Sequence, residues 1–284
     1  MKQRFNKTLL TAAMTLALGF ASTAAKADLL PFTVNEGSVG NGTPANTITN
    51  AGKITGNYTE SVTFNPSSVG AVSGTFTTTI LWNAGQYLAT DGATVLGSYL
   101  NNLGTNGYNL YAIVTGSGTY GAGPTAGSTV FNFNPVGTLA AYIDPLSNTG
   151  FNTTAATVTG NNADDYLIAT GDVLSGQGTL DPSLNTCGPN KGINCGSFGT
   201  TTTFNLTTLG SQYFTAPTPF YSLSFQSGQF DVINPAAAGT QNTFGSLDVA
   251  FNGSSSVVPE PETLALFGIG LLGLGLSTRR RKQA

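Results

Sequence analysis

Large apolar side chains recur at every second position through much of this chain, with small polar ones between them. Phe76, Ile80 and Trp82 alternate with Thr75, Thr77 and Thr79; Phe131 and Phe133 alternate with Asn132 and Asn134. Tyr221, Leu223 and Phe225 alternate with Ser222, Ser224 and Gln226, and Leu247, Val249 and Phe251 with Asp248, Ala250 and Asn252. Successive side chains of a strand point to opposite faces, so each set predicts a half-buried antiparallel strand with its large residues on one face. Further strands are expected over residues 58–64, 109–115, 139–143, 165–170 and 202–206. Turn dipeptides such as Asn41-Gly42, Asp91-Gly92, Asn106-Gly107 and Asn252-Gly253 separate them. The expected fold is therefore mainly β, an antiparallel sandwich or jelly-roll-like domain over residues 28–252. The helix formers are scarce: 37 Gly and 13 Pro stand beside only 8% charged residues. Within the body only residues 87–103 are expected to hold a short helix.

The two ends differ from the body. Residues 1–27 open with Lys2, Arg4 and Lys7, continue with an apolar run from Leu9 to Phe20, and close on Ala25-Lys26-Ala27. That is the layout of a secretory signal helix, cleaved by signal peptidase after Ala27 so that the mature chain begins at Asp28. At the other end, a linker over 253–258 leads to PEPETLALFGIGLLGLGLSTRRRKQA at 259–284. Pro259, Glu260 and Pro261 form a stiff extended peptide, because proline fixes its own φ and keeps the preceding residue out of the helical region. Residues 263–278 carry no charge, and as a helix they rise about 24 Å, enough for a single transmembrane helix with local thinning of the bilayer. Arg279, Arg280, Arg281 and Lys282 form a basic stop that stays on the cytoplasmic side.

This order of Pro-Glu-Pro, apolar helix and arginine cluster resembles the PEP-CTERM sorting tail. The resemblance implies recognition and cleavage near Pro259–Pro261 by an exosortase, an integral-membrane protease, with the helix and its arginines discarded. It implies passage through the secretory translocon, a transient inner-membrane intermediate, and a final place at the cell surface or in the extracellular matrix. The body also resembles the flocculation-associated PEP-CTERM proteins, through FTVNEGSV at 32–39, WNAGQYLATDG at 82–92, YIDP at 142–145, DDYLIA at 164–169 and YFTAPTPFY at 213–221. That likeness implies a part in floc or biofilm formation together with exopolysaccharide, and it brings no catalytic residues with it.

Charge and missing residue types exclude whole classes of chemistry. Eight of the 10 Lys and Arg residues lie in the two end segments, leaving Lys53 and Lys191 in the body. Of the 13 acidic residues all but Glu260 and Glu262 lie there, so two cations face eleven anions and the net charge is −9. Such a body cannot neutralise phosphates, and no nucleic-acid partner is expected. Histidine is absent, which removes the Ser-His-Asp and Cys-His nucleophile systems and the usual zinc sites. Cys187 and Cys195 enclose a short Gly- and Pro-containing segment and read as a disulfide stapling a surface loop, worth about 2–3 kcal/mol. A thiol metal pair or redox centre is the alternative, and two thiols without histidine make a poor closed site.

Three carboxylates deserve weighing as a site. Asp164, Asp165 and Asp172, with Asp181 beyond them, read as solvated edge or turn carboxylates with no metal expected; the alternatives are oxygen ligands for calcium or a carboxylate pair for glycoside hydrolysis. Neighbouring residues of a strand face opposite ways, so Asp164 and Asp165 converge only at a turn or bulge. Gly116, Gly118 and Gly121 spell a dinucleotide fingerprint, but Gly123-Pro124 follows where a helix is needed, so a turn is expected instead. Most of the 17 Phe and 10 Tyr read as core, with an exposed subset able to stack on sugar rings. No cofactor is expected. The reading is of an exported surface or matrix protein rather than an enzyme. A polysaccharide-binding, lectin-like adhesin, with or without dependence on calcium, is the alternative, and an Asp-dependent glycoside hydrolase a further one.

Overall fold

The computed structural model describes residues 29–102, 106–188 and 192–253. The strands are β1 (Phe32–Asn35), β2 (Thr47–Pro66), β3 (Gly74–Ala89), β4 (Val95–Leu96), β5 (Asn109–Ala122), β6 (Thr129–Phe133), β7 (Thr138–Asp144), β8 (Gly150–Asn152) and β9 (Thr157–Gly160). They continue with β10 (Tyr166–Leu180), β11 (Cys187–Gly188), β12 (Gly192–Ile193), β13 (Gly196–Thr203), β14 (Asn205–Leu206), β15 (Phe214–Ala216), β16 (Leu223–Phe230) and β17 (Gly239–Asn252). Among the described residues one short α-helix, α1 (Thr208–Tyr213), precedes β15, and a single 3-10 turn, Glu36–Ser38, follows β1.

The pairings form a ring: β2 to β3, β3 to β5, β5 to β6 and β7, these to β10, then β13, β16, β17 and back to β2, every contact antiparallel. β6 and β7 share one stave, both lying between β5 and β10. The sheet therefore closes into an up-and-down barrel and leaves no free edge around its wall. This corrects the expected sandwich or jelly roll. Alternation reports only that each strand has one buried face, and a barrel satisfies it as well as two facing sheets do. Consecutive strands pair in chain order, so no strand has to cross to a second sheet.

Two glycines permit this closure. At Gly56 the β2–β3 register slips by one residue. A Cβ there would sit 2.5 Å from the Trp82 indole nitrogen, which reaches over Gly56 to donate to the Leu247 carbonyl on β17 at 3.0 Å. Gly137 ends the gap between β6 and β7 with φ of +151°, and a Cβ there would lie 2.1 Å from the Thr115 carbonyl oxygen.

The core is the barrel interior. Tyr58, Phe64, Phe76, Trp82, Phe131, Phe198, Phe230 and Phe251 are buried there, packed as edge-on and stacked ring pairs such as Phe76–Phe133 at 5.1 Å and Phe198–Phe230 at 5.3 Å. An internal gap beside Ile80, Trp82 and Gln226 measures about 40 Å³, room for a few waters at most, so the barrel is filled rather than a ligand chamber. Outside the wall, Leu81, Tyr111 and Ala156 form a second small cluster with Tyr142 and Phe151, where the β8–β9 hairpin covers the sheet.

Three further expectations change. Phe225 is 38% exposed, while Ser224 and Gln226 are buried at 0% and 4%. Phe230 and Phe198 fix the register: Phe230 shares parity with Ser224 and Gln226, so inward Phe230 turns Phe225 outward. The inward polar residues satisfy one another, with Gln226 donating to Ser224 Oγ at 2.7 Å and Thr200 donating to Gln226 Oε1 at 2.8 Å. Residues 87–102 hold strand and turn, residue 103 lies outside the described residues, and the helix is α1 instead. Its N-cap Thr207 accepts from the Gly210 N–H at 3.0 Å. The glycine fingerprint at 116–121 lies within β5 rather than in a turn. The Cys187–Cys195 disulfide is present across the β11–β12 hairpin, with both sulfur-bearing residues buried against the core.

Candidate functional site

The chain gathers carboxylates at two places near the barrel ends. In the first, oxygens of Asp144, Asp164 and Asp165 all lie within 4.8 Å of one another. Asp144 ends β7 and is fully buried; its Oδ1 accepts from the Leu146 N–H at 3.1 Å and its Oδ2 from the Thr149 N–H at 3.0 Å. These bonds fold the 144–149 turn around the carboxylate. Asp164 and Asp165 precede β10 and so escape the opposite-face constraint of a strand. Asp165 accepts from the Tyr111 hydroxyl at 2.6 Å and from Thr149 Oγ1 at 2.8 and 2.9 Å. Asp164 Oδ2 is buried with no hydrogen-bond partner among the described residues. Burial raises the Asp165 pKa, repulsion from Asp144 and Asp164 adds to it, and the Tyr111 and Thr149 bonds act against it. Burial likewise pushes the Tyr111 hydroxyl well above its ordinary value, helped by its bond to Asp165.

An all-oxygen set of this kind suits a hard divalent cation such as calcium. The structure places Asp164 and Asp165 side by side in the turn before β10, the only setting in which the sequence allowed them to converge, and sets Asp144 beside them in place of Asp172. Asp172 pairs with Thr138 on the open wall, and Asp181 is occupied by Ser183 and Thr125. Asp144 and the Asp164–Asp165 pair belong to the YIDP and DDYLIA stretches. Those stretches were visible in sequence, but their meeting depends on β7 pairing with β10.

The second place is centred on Glu36, which sequence reasoning missed. Glu36 is completely buried and accepts from Asn46 Nδ2 at 2.5 Å, the Tyr99 N–H at 3.0 Å and the Tyr108 hydroxyl at 2.9 Å. Tyr108 in turn bonds Tyr213 at 2.7 Å, and Tyr213 bonds Tyr87. Burial, first of all, holds the hydroxyls of Tyr108 and Tyr213 far above their ordinary range, so both stay protonated as donors. Glu36, Tyr87 and Tyr213 come from three of the five resemblance stretches. Their convergence gives those stretches a physical reason: they hydrogen-bond one buried carboxyl group and tie the end of β1 to β3 and α1.

Ala25, Ala27 and Asp28, the motif Pro259, Glu260 and Pro261, the expected helix at 263–278, and Arg279, Arg280, Arg281 and Lys282 lie outside the described residues. Among the described residues no helix is long and apolar enough to cross a membrane. Residues 257–281 match the family model of the PEP-CTERM protein-sorting motif. No curated protein and no solved structure matches the chain. The motif implies exosortase-dependent export to the cell surface or beyond.

Proposed function

We propose, on the premise that this chain carries the PEP-CTERM sorting motif, that it is a non-enzymatic matrix protein that joins cells and exopolysaccharide into flocs or biofilm. The observation that carries this reading is the sorting match over 257–281, which contains Pro259–Pro261 and the arginines. The route would run through the secretory translocon, signal peptidase at Ala27, a transient inner-membrane intermediate held by 263–278, and exosortase. An acidic body whose one cation among the described residues is Lys53 is soluble outside the cell and has no affinity for nucleic acid. Deleting the gene in the producing strain and following settling of the culture tests it. Loss of settling, restored by the intact gene and not by a Pro259→Ala, Pro261→Ala copy, is expected. Flocs that settle unchanged would overturn it.

The Asp144, Asp164 and Asp165 cluster, with its buried unpartnered oxygen, favours a second reading: a calcium-dependent, polysaccharide-binding adhesin.

A further inference from the structure

We propose that the outward face of β10, β13, β16 and β17 is a docking strip for a neutral polysaccharide chain, running between the rings of Phe225 and Phe244. This deepens the polysaccharide reading above and rests on it.

Among the described residues, Phe225 and Phe244 are the only exposed aromatic side chains, at 38% and 50%. All the other described Phe, Tyr and Trp rings are buried or half-buried. An aromatic ring left in water forfeits the burial that the rest of the fold secures, so two on one wall call for a partner. They stand on adjacent strands. Phe225 of β16 pairs with Ala250 of β17, and Phe244 lies six residues before Ala250 on that strand. The two rings are therefore roughly 20 Å apart along the strand direction.

Between them lies a polar groove of about 500 Å³. Its floor is made of small residues: Gly199, Ser197 and Ser227, with Ser246 beyond. Gln177, Gln229 and Asp248 rise around it. Cross-strand pairing sets them in rows, Gln177 opposite Gly199, Gly199 opposite Ser227, and Ser227 opposite Asp248. No side-chain hydrogen bond within the chain occupies Ser197, Ser227, Gln229 or Ser246 among the described residues, and Gln177 uses only its amide nitrogen, on Asn132. Nothing in the fold requires glycine at 199: its φ is ordinary, and a Cβ there would meet a single atom, the Gln226 carbonyl oxygen, at 3.8 Å. The missing side chain is what keeps the floor low.

The chemistry of this surface selects its occupant. Apolar rings at two stations suit the C–H faces of sugar rings, and unspent hydroxyls and carboxamides between them suit sugar hydroxyls as both donors and acceptors. Lys53 is spent on Asp248 at 2.7 Å, so the strip offers no free cation to an anionic polymer.

Titration of the purified full-length chain with cellohexaose, mannohexaose and isomaltohexaose tests this, with a galacturonic acid hexamer as the anionic probe and the producer's own exopolysaccharide alongside. At least one neutral hexamer is expected to bind, and about 0.5 M salt should leave that binding unchanged. Phe225→Ala, Phe244→Ala and Gly199→Trp should each weaken it by about tenfold or more. Leu209→Ala, an exposed apolar change elsewhere, should do nothing. If the wild type binds the producer's polysaccharide and the three strip variants bind it equally, the strip is wrong while the adhesin reading stands. Binding of the anionic hexamer alone, abolished by salt, overturns the neutral occupant. A wild type that binds none of these probes removes the polysaccharide reading and the strip together.

Discussion

Glu60 shows how one residue can set the pH behaviour of the whole barrel. It points inward from β2 among Val62, Phe64, Phe76 and Phe131, and its hydrogen-bond partner among the described residues is Thr78, whose hydroxyl donates to Oε1 at 2.5 Å. Burial raises its pKa from 4.5 to about 7, with the Thr78 bond acting the other way. A folded pKa above the unfolded one means that the native state holds the proton more tightly. The stability linked to that proton is complete below pH 4.5, falls as pH rises through 7, and is gone above it, a change of roughly 3 kcal/mol. Asp165 is displaced in the same direction and Asp181, fully exposed, in the opposite one, so the clean comparison is with Glu60→Gln. That amide can accept from Thr78 at the same place and does not ionise. Urea unfolding at pH 5 and pH 8 should show the wild type losing stability between them and Glu60→Gln losing roughly 3 kcal/mol less. Parallel pH profiles for the two proteins would contradict this.

At the scale of elements, the carboxylate cluster makes the turn at 144–149 and the approach to β10 a single unit, since Asp165 and Asp144 both bond Thr149. If calcium binds there, calcium should protect the amides of residues 144–149 and 161–165 from hydrogen exchange. Asp144→Asn with Asp165→Asn should abolish that protection while leaving β16 and β17 unaffected. Protection that is identical with and without a chelator would exclude the site. Strand positions were largely legible in the sequence, because long runs such as Leu247, Val249 and Phe251 pair one face with one environment. Orientation was legible only where the run was long. In β16 the pair Leu223 and Phe225 suggested one face, and the larger constraint, Phe230 packed on Phe198, lay several residues away. The site was half legible for the same reason. Asp164 and Asp165 are adjacent in sequence, whereas Asp144 joins them only through the β7–β10 ladder. Glu36 gave no local sign that three donors from Asn46, Tyr99 and Tyr108 would surround it.

For the whole molecule, closure and export fit together. A barrel wall in which β17 pairs back onto β2 leaves only the short β4 and β15 as strand ends, so a Thr- and Gly-rich wall can be concentrated in a matrix with little backbone open to neighbouring copies. The Glu36–tyrosine network fixes one end of the barrel, and the disulfide holds the β11–β12 hairpin where no reducing pool maintains thiols. Both ends of the chain that carry the cations are temporary in this account. The most direct test is the intact mass of the protein recovered from outside the producing cells. A species starting at Asp28 and lacking the arginine terminus beyond the Pro259–Pro261 motif is the expected result. A 29.0 kDa chain running from Met1 to Ala284, unchanged whether or not the exosortase is present, would contradict it.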